Sequence, residues 1–146
     1  MKSIHILLVE DNEGDIILTT EALEDSKIIN TLSVVRNGKE ALDYIFKQGE
    51  YANAPSPDLI LLDINLPLKS GHEVLSKIKS TDAVMHFPVI MLTTSSSEKD
   101  VLMSYKHHAN CYISKPVEIG QFLDAITSIE NFWLNIVTLP SNAKRQ

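Results

Sequence analysis

Five side chains able to hold a hard cation or a transferring anion fall where apolar runs of this sequence end. Glu10 and Asp11 close the run from Ile4 to Val9, and Asp63 closes Leu59 to Leu62. Thr93 closes "FPVIMLT", and Lys115 follows "CYIS" directly. A carboxylate is costly to bury without compensation, so a core strand ending on Asp63 needs a partner. Three carboxylates at one crevice raise one another's pKa unless a cation sits among them. Hard oxygen donors of this kind suit Mg²⁺, which takes one or two protein carboxylates and keeps several waters. With a hydroxyl and an ammonium added, the set makes a poor pocket for an apolar molecule. It is well suited to a phosphoryl group, whose oxygens need a metal and fixed donors.

Each residue alone has a plainer explanation. Glu10 and Asp11 could be solvated loop starts, Asp63 the N-cap of a turn, Thr93 an ordinary strand end and Lys115 a surface lysine. What carries the reading is that they recur together, each at the end of a strand.

The elements that must position them alternate along the chain. Strands are expected over 4–9, 31–36, 58–63, 87–93 and 111–114. Helical spacing marks 14–25 (Ile16, Ile17, Thr20, Leu23), 39–48 (Ala41, Leu42, Ile45, Phe46) and 70–80 (Val74, Leu75, Ile78). Further helices are expected over about 97–107 and from about 118, and "EYANAPSP" (50–57) is a loop. Alternating strands and helices mean βαβ units and a parallel sheet, and near-continuous apolar strands mean cover on both faces. Five such units predict an α/β, doubly wound five-stranded parallel sheet of flavodoxin-like order 2-1-3-4-5 with helices on both faces. A barrel would need eight units. Ligands of such sheets bind beyond the carboxyl ends of the strands where the order reverses, here between strands 1 and 3. That is where Glu10, Asp11 and Asp63 fall.

Bulk properties narrow the class. The 146 residues are 44% hydrophobic and 22% charged, ordinary for one globular domain. A net charge of −6 argues against a nucleic-acid binder, which needs a basic surface. The single cysteine, Cys111, allows no disulfide within the chain and fits a reducing compartment. No signal peptide is visible and no apolar run approaches the roughly 18 residues of a membrane span. The expectation is a cytoplasmic protein without nucleic-acid or membrane partners.

Over residues 3 to 130 the sequence resembles the receiver domain of two-component response regulators. The matching motifs are "LLVEDN", "LILLDINLP", "VIMLTTS" and "YISKP"; Thr93 follows Asp63 by 30 residues and Lys115 follows Thr93 by 22. The loop "KQGEYANAPSP", with "TLSVVRNGKEALDYI", "NCYISKP" and "IENFWLNIVTLP", resembles the stand-alone receivers that partner bacterial phytochromes. The resemblance implies that Asp63 accepts a phosphoryl group from a phosphohistidine of a sensor histidine kinase of phytochrome type. It implies that Asp11, Asp63 and the backbone carbonyl of Asn65 hold Mg²⁺, with Glu10 acting through water. Thr93 would bond the phosphoryl oxygen and move inward, Lys115 would pair with another oxygen, and Tyr112 would change rotamer as Thr93 moves. Lys115-Pro116 is expected cis, as the family has it and as proline alone readily permits. One position departs from the pattern: the usually very small residue after Thr93 is Thr94, from which slower turnover of the phosphorylated form is expected.

The remaining chemistry-bearing residues read as structural. His5, His72, His86, His107 and His108 share no ligand spacing and are expected at surfaces or helix ends. Cys111 is expected to be a small buried hydrophobe. The last helix carries a stripe of Phe122, Ile126, Ile129, Trp133 and Ile136, widened by Leu123, Phe132 and Val137. A stripe that wide needs more cover than one sheet face. Large aromatics are frequent interface anchors, so Phe132 and Trp133 are expected in a homodimer interface. The organisation expected is a receiver over 1–130 and an extension over 131–146.

The function expected is a phosphoacceptor switch, not an enzyme, that acts on an unknown downstream protein through the face formed by the helix over 97–107, the strand 111–114 and the last helix. A Mg²⁺-dependent phosphohydrolase using Asp63 as nucleophile would need an acid two positions on, where Asn65 stands, and a cap domain. A phosphorylation-independent docking module would have no need of the complete acidic set with Thr93 and Lys115.

Overall fold

The computed structural model describes residues 4–26, 30–93, 109 and 111–127, without the side chains of 126 and 127. The helix expected over 97–107, Thr94 and the tail residues Ile129, Phe132, Trp133, Ile136 and Val137 lie outside the described residues.

Five strands form one parallel sheet in the order β2-β1-β3-β4-β5. They are β1 (Ile4–Val9), β2 (Asn30–Val35), β3 (Leu59–Asp63), β4 (Val89–Thr93) and β5 (Cys111–Ser114). Helices α1 (Glu13–Asp25), α2 (Gly38–Ile45), α3 (Gly71–Lys79) and α4 (Ile119–Thr127) are described between and after them. This is the doubly wound, flavodoxin-like arrangement expected from the sequence.

Burial explains why the central strands tolerate no alternation. Every residue of β3 and β4 is buried, as a sheet covered on both faces requires. Strand side chains pointing one way, including Ile6, Leu8, Leu59, Leu61 and Ile90, form a core with Phe122 of α4. Those pointing the other way, including Leu7, Val9, Leu62 and Met91, form a core under α2 and α3 with Val74, Leu75 and Ile78 of α3. Each fully buried leucine or isoleucine contributes roughly 1.5–3 kcal/mol, so the sheet is a rigid platform for whatever stands at its edge.

Local chemistry sets the helix starts close to that edge. Asn12 caps α1 by accepting from the Asp15 N–H at 2.9 Å, and Asn37 caps α2 by accepting from Glu40 at 2.8 Å. Ser70 and Glu73 form a reciprocal capping box on α3. The strand boundaries differ from expectation by one or two residues: β2 starts at Asn30, and β4 at Val89 because Pro88 cannot donate to a ladder.

Three packing details depart from the sequence reading. On α1 the buried positions are Ile16, Thr19 and Leu23, while Ile17 is 49% exposed. On α2 Tyr44 is buried and Leu42 only partly so. The spacing predicts that the helix faces the core through Leu42, but Tyr44 turns inward and reaches a polar partner on β1. That partner is His5, which is half-buried in β1 rather than at a helix end. Its Nε2 lies 2.8 Å from Ser33 Oγ and 3.2 Å from the Tyr44 hydroxyl, in a partly buried polar cluster. Cys111 is half-buried and packs against the first core.

Candidate functional site: an acidic crevice at the strand carboxyl ends

The register brings the expected residues to one edge. Leu62 pairs with Val9 and Asp63 with Leu92, so Glu10, Asp63 and Thr93 come side by side where the ladders end. Thr93 pairs with Ser114, and the Lys115 N–H donates to the Thr93 carbonyl at 2.7 Å, carrying the lysine to the same edge. The Lys115-Pro116 peptide is cis. Glu10, Asp63 and Thr93 are all buried, whereas Asp11 is exposed at the mouth.

Glu10, Asp11 and Asp63 each offer an oxygen within 4.8 Å of the others. The Lys115 ammonium, its side chain 6% exposed, lies 2.8 Å from Glu10 Oε1, 3.0 Å from Asp15 Oδ2 and 3.3 Å from Asp63 Oδ2. Burial pushes the Glu10 carboxyl from 4.5 up to about 7; Asp63 adds to this, while Lys115 and the Asn12 N–H oppose it. Burial alone would lower the Lys115 pKa, but its bonds to Glu10 and Asp15 and the charge of Asp63 outweigh that and raise it. The crevice thus holds four carboxylates around one ammonium. A charge excess of that kind, built from oxygen donors, fits a divalent cation. The donor set therefore suits the metal expected from the sequence.

Asn65 stands two residues past Asp63, and its N–H donates to Asp63 Oδ1 at 3.4 Å, a long contact. Tyr112, next to the edge in β5, is half-buried against the core under α2 and α3. Sequence reasoning missed Asp15, the second carboxylate on Lys115. Its only signal was its place in the first turn of α1, directly after the Asn12 cap at the strand edge. It also missed the exposed contact of Arg36 with Glu13 at 2.8 Å, which joins the β2–α2 loop to α1. Nothing in the spacing of those two residues announces it.

Residues 6–127 match the response regulator receiver domain. The chain belongs to the response regulator receiver family. It is 46% identical over 136 residues to the response regulator Rcp1 of Synechocystis sp., covering 93% of this chain and 92% of that protein. Among solved structures, this receiver superimposes on the bacteriophytochrome response regulator AtBRR with a TM-score of 0.83 at 44% identity, covering 91% of this chain and 96% of that one. The phosphorylated cyanobacterial phytochrome response regulator RcpA gives a TM-score of 0.77 at 48% identity, covering 94% and 99%. Rcp1 itself has been solved in an Mn²⁺-bound form. Its likeness to this receiver matches the acidic cluster of Glu10, Asp11 and Asp63. Among the described residues, no helix is long and apolar enough to cross a membrane.

Proposed function

We propose that this receiver is a cytoplasmic phosphoacceptor switch in which Asp63 takes a phosphoryl group from a phosphohistidine of a bacterial phytochrome-type sensor histidine kinase. The observation that carries the reading is the buried Asp63 carboxylate at the switch point of the sheet, set between Glu10, Asp11 and the Lys115 ammonium. In the transfer, an Asp63 oxygen bonds to phosphorus as the phosphorus–nitrogen bond breaks, and the electron pair returns to the imidazole. Lys115 pairs with one phosphoryl oxygen and Thr93 donates its hydroxyl to another. Asp11, Asp63 and the Asn65 carbonyl would hold Mg²⁺, with Glu10 acting through water. Bound there, the ion supplies charge neutralisation at the phosphoryl oxygens. Tyr112 changes rotamer as Thr93 moves toward the phosphoryl group, which biases the surface that a downstream protein reads.

The kinase assignment is supported by the phytochrome response regulators among the similar proteins, each alike over nine-tenths of this chain. The boundary between a receiver over 1–130 and an extension over 131–146 rests on the sequence, as does a homodimer held by Phe132 and Trp133.

Acetyl phosphate with Mg²⁺ tests the switch, with Asp63→Asn as control. A mass gain of one phosphoryl group in the wild type, absent from the variant, is expected. Rapid general phosphatase turnover would instead mean an enzyme, and no modification at all a docking module. Phosphotransfer from an autophosphorylated bacterial phytochrome kinase tests the partner.

A further inference from the structure

We propose that Gly38, the first residue of α2, is a positioning residue for the metal site, because it clamps the β3–α3 segment that carries Asn65. The inference rests on the reading above that Asn65 contributes a carbonyl to Mg²⁺.

The segment between β3 and α3 is fixed at its base and at its tip, with Asn65 between the two. At the base, the Ile64 N–H donates to Leu92 O at 3.0 Å and the Gly71 N–H donates to Ile64 O at 2.8 Å. At the tip, the Pro67 carbonyl accepts from the Lys69 N–H at 2.8 Å and from the Gly38 N–H at 3.2 Å. The first of these closes a three-residue turn whose central residue, Leu68, has φ +69°. That turn form is rare, and the left-handed region is unfavourable for leucine. The Leu68 side chain is 74% exposed, so its own burial does little to hold the turn. Something outside the segment must hold it.

Leu66 packs against the core under α2 and α3, and at the tip the external contact is Gly38. A Cβ added there would lie 2.1 Å from the Lys69 carbonyl oxygen and 2.7 Å from Lys69 Cβ. The nearest atom is backbone, which cannot swing aside as a long side chain can. Only glycine lets α2 come this close, and the approach lets its unpaired first-turn N–H reach Pro67. The start of α2 is itself anchored. Asn37 caps Glu40, and the Glu40 carboxylate accepts from Arg36 N and Asn37 Nδ2, both at 3.1 Å. The position of Asn65 therefore depends on a residue that never touches the acidic crevice.

Mg²⁺ titration by calorimetry decides this, on full-length protein shown to be folded by circular dichroism. Gly38→Ala is expected to weaken Mg²⁺ binding at least tenfold. Gly120→Ala, where an added Cβ meets nothing within 4 Å, and the core variant Ile78→Val are expected to bind within twofold of wild type. Ile78→Val lowers stability in the same core, so a purely structural effect of Gly38 would move both alike. Unchanged Mg²⁺ affinity in folded Gly38→Ala overturns the proposal. Should that variant not fold, Asn37→Ala decides: it keeps the glycine but loosens the helix start. A threefold or greater weakening supports the clamp, and no change overturns it. A wild type that binds no Mg²⁺, or binds it equally well as Asp11→Asn, would instead refute the metal reading and the clamp with it.

Discussion

The Lys115 ammonium stands 3.3 Å from an Asp63 carboxylate oxygen, with both side chains almost wholly buried. The lysine also bonds Glu10 and Asp15, so it is the one cation that compensates the interior of the crevice among the described residues. Removing one partner of a buried charge set leaves the others uncompensated, at a cost of about 3–5 kcal/mol. Lys115→Met is therefore expected to lower the stability of the metal-free protein by roughly 3 kcal/mol, in urea denaturation with a chelator present. Mg²⁺ should recover part of the loss. A variant as stable as wild type in chelator would contradict this account of the site.

The Glu10 carboxyl gives a pH dependence of definite sign. Its folded pKa, raised to about 7 by burial and Asp63, lies above the ordinary 4.5. Between those values the fold retains a proton that the unfolded chain releases, so this group's contribution to stability falls as pH rises from about 4.5 to about 7. In chelator, wild type should lose more stability between pH 5 and pH 8 than Glu10→Gln, which lacks the titration. Mg²⁺ should narrow the difference, since it compensates the ionised carboxylate. Parallel pH profiles for the two proteins would sink the assignment.

Leu68 gives a prediction of the opposite direction. Its left-handed backbone costs about 1 kcal/mol, and the exposed side chain returns little. Leu68→Gly is expected to leave the fold unchanged and raise the urea midpoint by the equivalent of ~0.5 kcal/mol, after the extra entropy of glycine in the unfolded chain. A marked destabilisation would show that the leucine side chain makes a contact worth more than its strain.

The homodimer proposal is tested by ending the chain after Ile129. The shortened protein is expected to be a folded monomer by light scattering, while the full chain is a dimer. An unchanged dimer would remove Phe132 and Trp133 from the interface.

The parts legible in the sequence were those with a one-dimensional signature. Apolar runs ending on Glu10, Asp63 and Thr93 declare both the strands and the edge, because strand order and burial act on whole runs. Helix faces were less legible. Tyr44 turns inward because its hydroxyl finds His5 and Ser33, and Ile17 stays out because Ile16, Thr19 and Leu23 already fill the face of α1. Gly38 was invisible, since its role depends on how near a loop thirty residues on approaches it. A hydrogen-bonding partner or a close backbone approach from another element leaves no periodic trace in the chain.

The ion pairs of Lys115 have a consequence for the order of folding. They join residues 105 and 100 positions apart, so they close almost the longest loops the domain contains. Such contacts are entropically expensive and form late, after more local structure has reduced the search. A nascent chain can lay down β1, β2 and β3 and already bear its acidic residues, yet it gains their counter-charge only when β5 docks at the edge of the sheet. Until then the crevice is an unbalanced cluster of anions, so a competent phosphoacceptor and a completed sheet arise in the same step.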